Sequence, residues 1–170
     1  STDVSVAGAF ALNVVTGTTQ AVIPASAVLT VGTGDVVLRA ENFRSDTASA
    51  TAEATQGNAS TGVGASIAIN PVLDNVTRAE IEDGATISGG HDVTVEALST
   101  DTVVTKVAAG AKGGTAVAPG VAITIVQHET IARIGTGALW QVTGSVAVRA
   151  SHEGSTTTTG DAKAAGDDGA

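Results

Sequence analysis

One short phrase occurs three times in this sequence and limits what the chain can fold into. Its copies read DVVLRA, DVTVEA and SVAVRA, and they end at Ala40, Ala97 and Ala150. The second copy follows the first by 57 residues (40 to 97), and the third follows the second by 53 (97 to 150). Self-similarity at a nearly fixed period is typical of stacked arrays, in which each repeat packs against its neighbours. We therefore interpret the chain as a repeat array.

The similarity extends upstream of this phrase into an alternating run. AGAFALN at 7–13 matches GASIAIN at 64–70 and, more loosely, GVAITIV at 120–126. In this alignment Asn13 and Asn70 are equivalent, and stacked asparagines can form a hydrogen-bonded ladder. The third repeat has Val126 at that position, so the predicted ladder is short. We expect a single array over residues 1–170, with repeats at approximately 4–61, 62–119 and 120–170, the last of them truncated.

The repeated pieces alternate in the manner of β-strands. A period of two residues places apolar side chains on one face of a strand and polar ones on the other. The run TASATAEAT, at 47–55, puts its alanines on one face and its Thr, Ser and Glu residues on the other. Interleaved Thr, Val and Gly disfavour helix. We expect almost no helix, and one continuous interior face formed by Val36, Leu38, Ala40, Val93, Val95, Ala97, Val146, Val148 and Ala150.

Two β architectures fit the repeat length. In the first, each repeat is one coil of a solenoid that carries a long hairpin around a glycine-rich tip, such as ATQGNASTGVG at 54–64. In the second, each repeat is three shorter coils. The symmetric apolar runs around the tip favour the hairpin. The preferred fold class is therefore all-β: a β-solenoid, similar to a parallel β-helix, built from repeats of about 57 residues with long β-hairpin excursions.

Composition narrows the function classes. The chain has 17 acidic and 8 basic residues and a net charge of −9, which argues against nucleic acid and anionic membrane surfaces as partners. No apolar run approaches the roughly 20 residues that a membrane span requires. There is no Cys or Met, and only Phe10, Phe43 and Trp140 are aromatic. Small side chains must therefore fill a thin interior, where facing backbones approach closely.

Five acidic residues are candidate metal ligands. Asp35 and Asp92 stand in turns that resemble fragments of calcium-binding nonapeptide repeats, but they lack the tandem nine-residue spacing, and an aspartate bonded to its own turn is the preferred interpretation. Glu80, Glu82 and Asp83 could hold a cation if oxygens from a neighbouring coil converge on them, and a solvated acidic turn is the alternative. The sequence therefore predicts no bound metal and no cofactor, and Ca²⁺ is the one ion that these residues could suggest.

The remaining polar residues show no catalytic pattern. His91, His128 and His152 share no metal-ligand spacing, and we expect solvent-exposed imidazoles at turns or strand ends. No Ser or Cys stands beside a candidate base, and the acidic positions of one repeat are mostly replaced in the others. The sequence therefore predicts no catalytic residue and no enzyme.

The stretch from 62 to 99 resembles a known kind of repeat. It is similar to repeats of leukotoxin-type filamentous adhesins and, more distantly, of filamentous-haemagglutinin-like β-helices. The segments that carry the similarity are GVGASIAIN, AEIEDGATI and SGGHDVTVEA. The resemblance implies a non-enzymatic stalk or adhesive segment, secreted or displayed on a bacterial cell surface. Its implied partners are neighbouring repeats, host-cell or glycan ligands, or further copies of itself. It transfers no catalytic residue.

Two alternative functions stay open at the level of sequence. One is a β-helix carbohydrate-active enzyme or a glycan-binding segment, and a groove of aligned acids, or sugar bound in a soak, would favour it. A calcium-stabilised spacer would use the acidic turns around Asp35 and Asp92, and a chelator would lower its melting temperature.

Overall fold

The computed structural model describes residues 3–56 and 58–166, so the end of the third predicted repeat, 167–170, lies outside the described residues. That part of the chain forms strands and turns and contains no helix, as predicted. Because it contains none, no helix there could span a membrane. The strands are β1 (Val4–Leu12), β2 (Val15–Ile23), β3 (Val28–Thr30), β4 (Val36–Ala54), β5 (Thr61–Ile81), β6 (Thr86–Ser88), β7 (Val93–Gly113), β8 (Thr115–Val117), β9 (Gly120–Ile134), β10 (Leu139–Gln141) and β11 (Val146–Gly166).

These strands form three sheets, and every pairing described is parallel. In sheet A, β5 lies between β1 and β2 on one side and β8 and β9 on the other. Sheet B has the order β3-β6-β10, and sheet C has the order β4-β7-β11. The chain thus runs through A, B and C in that order three times. We call these the first pass (4–54), the second pass (61–113) and the third pass (115–166).

The register joins equivalent positions of neighbouring passes. Ala40 lies opposite Ala97, and Ala97 lies opposite Ala150. Outward-facing Arg39, Glu96 and Arg149 are likewise adjacent across the three strands of sheet C. Each predicted repeat therefore contributes one strand to each of sheets B and C. Three coils per repeat would separate these residues by three strand spacings. That alternative is therefore wrong.

The predicted β-hairpin excursions are also wrong. β4 and β5 flank the glycine tip, but they belong to different sheets. β4 pairs in parallel with β7, and β5 pairs in parallel with the strands of the first and third passes. The chain therefore crosses from sheet C to sheet A at the tip, so that the two strands face each other through their side chains rather than through backbone hydrogen bonds.

The core lies between sheets A and C, and its side chains change along the strands. Next to sheet B, large apolar residues such as Ile81, Ile87 and Val93 fill the space and are fully buried. Toward the tip, alanines take their place, and the sheets come so close that a methyl group at Gly64 would overlap the backbone oxygen of Gly110. This bears out the expected thin interior of small residues.

The predicted interior face is continuous in register but unevenly buried. Ala40, Val93, Val95 and Ala97 are at most 3% exposed. In the third pass, Val146 and Val148 face the same way but are each 46% exposed, and Ala150 is also exposed. The difference arises because β11 pairs on one side only among the described strands. Val36 and Leu38, on the first pass, are partly buried against the same core.

Candidate functional site

A cluster of polar side chains interrupts the core midway along the long strands. It lies between the apolar region next to sheet B and the alanine-rich region near the tip. All of its members occupy inward positions, and three are buried: Asn75, Ser99 and Asp101. We call this set the polar cluster; it consists of Asn42, Arg44 and Asp46 of β4, Asn75 of β5, Ser99 and Asp101 of β7, His128 of β9, and His152 of β11.

A β-bulge in β5 brings Asn75 into this cluster. Val72 lies opposite Val126, but Asn75 lies opposite His128, so β5 holds one extra residue between these pairs. The extra residue changes which positions face inward, from even numbers before the bulge to odd numbers after it. Asp74 accommodates the bulge in a left-handed conformation (φ 52°), which Asp tolerates better than most side chains.

Asp101 is the centre of the cluster. Its side chain is 1% exposed, so its carboxylate must find its partners inside the protein. Ser99 donates its hydroxyl to Oδ2 at 2.5 Å, and Asn75 donates its side-chain N–H to Oδ1 at 3.0 Å. These bonds fix the orientation of the carboxylate and turn Oδ2 toward the third pass.

Two histidines of the third pass converge on the same oxygen. The Nδ1 atom of His128 lies 3.2 Å from Oδ2 of Asp101, and the Nδ1 atom of His152 lies 3.6 Å from it. The two imidazole centroids are 5.0 Å apart. Burial lowers the pKa of His128 below its usual range; Asp101 opposes this shift, while His152 and Arg44 reinforce it. The site therefore favours a neutral His128.

The cationic side chain of the cluster is already paired. Arg44 places its Nε 3.1 Å from Oδ2 of Asp46 and donates from Nη1 to the side-chain oxygen of Asn75 at 3.2 Å. Asn75 is thereby held from both sides, by Arg44 and by Asp101. Its Nδ2 also lies 2.8 Å from Nδ1 of His128. Arg44 thus orients the amide rather than neutralising Asp101.

The expected positions at turns or strand ends are wrong for His128 and His152, which lie within β9 and β11, and the expected solvent exposure is wrong for His128. The His128 side chain is only 9% exposed, and His152, at 36%, also points to the interior, whereas His91 lies in an exposed turn at 57%. The signal for His152 was present in the sequence, because it follows the inward Val148 and Ala150 at the same period of two. The spacing of 53 residues that pairs Ala97 with Ala150 also places His152 opposite Ser99, one inward position from Asp101.

Asp35 and Asp92 connect equivalent turns of successive passes. Oδ1 of Asp35 accepts the backbone N–H of Asp92 at 3.1 Å, and Oδ1 of Asp92 accepts the backbone N–H of Ser145 at 2.7 Å. The hydrogen bond from Ser145 lowers the pKa of Asp92. His91 lies 3.2 Å from Asp92 and 3.8 Å from Asp35, but all three side chains are largely exposed. Each aspartate thus bonds to the turn of the next pass rather than to its own.

Glu80, Glu82 and Asp83 do not converge on a common point. Glu80 is buried and forms ion pairs with Arg78 and Arg133. Glu82 accepts the backbone N–H of Ala25 at 2.9 Å, and Asp83 accepts that of Thr136 at 2.8 Å. Within residues 3–56 and 58–166, two groups place three or more potential ligand atoms within 4.8 Å of one another, and neither contains these three residues: Asp101, His128 and His152; and Asp35, His91 and Asp92.

The predicted asparagine ladder has two members. Asn13 donates from Nδ2 to Oδ1 of Asn70 at 3.0 Å across β1 and β5. The residue opposite Asn70 in the third pass is Thr124, not Val126, because the register is offset by two residues from the sequence match. Thr124 continues the polar column through a hydroxyl contact of 2.7 Å with Thr105 of sheet C.

One half of the outer surface of sheet A is apolar. Phe10, Ile67 and Val121 lie side by side on it, and so do Leu12, Ile69 and Ile123. The segments that form this surface, 4–14, 61–71 and 115–125, contain no charged residue. We call it the apolar outer face; its large side chains, each 40–72% exposed, are Val4, Val6, Phe10, Leu12, Val14, Ile67, Val117, Val121, Ile123 and Ile125.

Comparison with known proteins gives no significant match to a family model, a curated protein or a solved structure.

Proposed function

We propose that this chain is a β-solenoid segment that acts as a stiff, non-enzymatic stalk or contact surface of a secreted or surface-anchored bacterial adhesin. The observation that carries the proposal is the register: three successive passes of the chain place equivalent residues beside each other in all three sheets. A chain that repeats this path can grow in one direction, along the axis that crosses the strands, by one strand spacing per pass.

Stiffness along this axis would come from continuous hydrogen-bond ladders. The strands that pair between the second and third passes in sheet C are each 21 residues long. Pulling along the axis would load the ladders of sheets A and C together, and the small facing residues leave the two sheets little room to slide past each other. The path thus suits a structural element that must resist bending.

The acidic side chains support the same role. Asp83 and Asp92 each bind a backbone N–H of the next pass, and Glu80 pairs with Arg133 of the third pass. Such bonds between passes join neighbouring repeats. We accordingly assign these three candidate ligands to stabilisation of the array.

The contact surface in this proposal is the apolar outer face. A contiguous exposed apolar patch commonly marks an interaction site, whereas apolar residues exposed one at a time do not. A second copy of the chain is the occupant that fits the charge distribution. The chain carries a net charge of −9, and the apolar outer face meets its counterpart without bringing like charges together.

Tandem proteins test the stalk proposal. Direct head-to-tail fusion of the 170 residues places residues 167–170 and 1–3 between β11 and the next β1, a connection close in length to the 55–60 segment between β4 and β5. Four-copy and eight-copy proteins would be compared by electron microscopy. If the passes stack, eight copies form one particle about 115 Å long, twice the four-copy length, at a constant width of about 70 Å.

The two sizes serve as controls for each other. Particles joined like beads on a string, or a length that does not scale with copy number, would contradict the proposal. Because this readout depends on stacking alone, it is independent of any metal or ligand.

A further inference from the structure

We propose that Asp101, His128 and His152 form a binding site for a divalent transition-metal ion, and that Zn²⁺ is the ion it fits best. One ligand atom from each residue lies within 4.8 Å of the other two. The carboxylate atom would be Oδ2 of Asp101, and the Nδ1 atoms of both histidines lie next to it. The site would connect β7 of the second pass with β9 and β11 of the third pass. The inference does not depend on the proposed stalk function.

The spacing of the ligand atoms matches tetrahedral coordination. Zinc binds histidine nitrogen and carboxylate oxygen at about 2.0–2.2 Å, which places two ligand atoms of a tetrahedron about 3.3–3.5 Å apart. The observed separations from Oδ2 of Asp101 are 3.2 Å to His128 and 3.6 Å to His152. An ion bound to Nδ1 of His128 would replace the 2.8 Å contact of that atom with Nδ2 of Asn75, a change that side-chain rotation can make without altering the strand register.

The donor set selects the class of metal. Two imidazole nitrogens and one carboxylate oxygen suit zinc and its transition-metal neighbours, whereas Ca²⁺ and Mg²⁺ prefer oxygen ligands throughout. This site therefore differs in its ligand chemistry from the calcium site that the acidic turns suggested. Inorganic Zn²⁺ and Co²⁺ are the appropriate probes.

The charge balance of the polar cluster also favours a cation. The Asp101 side chain is 1% exposed and is held by neutral donors from Ser99 and Asn75, while Arg44 is paired with Asp46. A buried carboxylate without a cationic partner is costly, and a bound divalent ion offsets that cost. The neutral donors would then orient the ligand, as partners of metal-binding carboxylates commonly do.

The surroundings leave space for a fourth ligand and a route of entry. A cavity of about 240 Å³ adjoins the three side chains and is lined on the β11 side by Gly154, Ser155 and Thr156. His152 is 36% exposed at its mouth. A water molecule can therefore complete the tetrahedron, and an ion can enter past His152 without opening the sheets.

Titration calorimetry on the chelator-treated 170-residue chain tests the site. Zinc is expected to bind with one equivalent per chain, and cobalt is expected to give the visible absorption of a tetrahedral complex. Zinc affinity should fall by about tenfold or more in each of three variants: His128→Ala, His152→Ala and Asp101→Asn. Loss of a residue that only orients a metal ligand already costs about tenfold, and loss of a ligand should cost at least as much. The matched control is His91→Ala, which removes the exposed histidine and should leave affinity and stoichiometry unchanged.

NMR of the unmodified chain tests the same ligands without relying on variants that could fail to fold. In a proton–nitrogen NMR spectrum of the histidine rings, zinc should shift the signals of two imidazoles and leave the third in place. Absence of zinc binding would overturn the proposal. So would loss of binding in His91→Ala, or equal affinity of the folded His152→Ala variant and the parent chain.

Discussion

Neighbouring residues in β7 experience opposite environments, although only one backbone step separates them. Val95 has no exposed surface and lies between Leu38 and Val148 of the adjacent passes. Thr94 points to the outer face of sheet C, where it is half-buried. A carboxylate at position 95 would lose its hydration without gaining a cationic partner, whereas one at position 94 would stay in contact with water.

Val95→Asp and Thr94→Asp should therefore differ strongly in their effect on folding. The buried change is expected to cost about 3–5 kcal/mol of unfolding free energy or to abolish folding, as uncompensated buried charges do. The surface change is expected to cost less than about 1 kcal/mol. Urea denaturation followed by circular dichroism measures both, and similar losses for the two variants would contradict the assignment of this face.

The alternation that predicts Val95 as inward continues to Ser99 and Asp101 of the polar cluster, but it does not identify Asn75. Val93 to Ala97 and Ala48 to Ala54 follow one uninterrupted period of two, so the sequence alone identifies their buried face. In β5 the bulge at Asp74 reverses the alternation, and a single inserted residue leaves no mark in the sequence pattern. The contact between Asn75 and Asp101 therefore became visible only in the structure.

At the scale of the strands, a column of charges crosses sheet C. Arg39, Glu96 and Arg149 are adjacent in register, and Glu96 lies 3.5 Å from the first guanidinium and 3.6 Å from the second. The order plus, minus, plus gives two favourable contacts across neighbouring strands. Each such pair contributes a few tenths of a kcal/mol, because the arginines remain substantially exposed to water.

Reversing the middle charge should destabilise the chain in a salt-dependent manner. Glu96→Lys places three positive charges in a row, and we expect a loss of roughly 0.5–1 kcal/mol at low salt. The loss should shrink in 1 M salt, where the screening length falls to about 3 Å. Thermal unfolding at several salt concentrations measures it.

Glu153→Lys is the matched control for this experiment. It makes the same charge change on the outer face of sheet C, but in a column that contains the uncharged Thr100 and Phe43. It should show a smaller loss and less salt dependence. Equal behaviour of the two variants would mean that the column of charges does not stabilise the sheet.

The repeat spacing in the sequence matches the register of sheet C, where Ala40, Ala97 and Ala150 are adjacent, but it did not indicate how the strands around the tip would pair. Two alternating runs flank the glycine tip both in a hairpin and in the observed crossing between sheets. The patterns are the same because both place one apolar face inward. What distinguishes them is the hydrogen-bond partner of β4, which is β7, 57 residues further along the chain. Local patterns carry no information about such a partner.

At the scale of the whole molecule, the two outer surfaces differ in chemistry. The outer face of sheet C carries charged residues such as Arg39, Glu96 and Lys106, together with many threonines. The apolar outer face of sheet A carries no charge in any of the three passes. A chain with net charge −9 repels its own copies through most of its surface, so close approach is favoured through this face.

We expect the chain to self-associate through the apolar outer face, and two phenylalanines provide a matched test. Phe10 lies on that face and is 64% exposed, while Phe43 lies on the outer face of sheet C and is 72% exposed. In sedimentation velocity at increasing protein concentration, the parent chain and Phe43→Asp should form dimers or larger species. Phe10→Asp should stay monomeric over the same range, because pairing would bury its carboxylate. A parent chain that remains monomeric throughout, or equal association of the two variants, would reject this surface as the contact between copies.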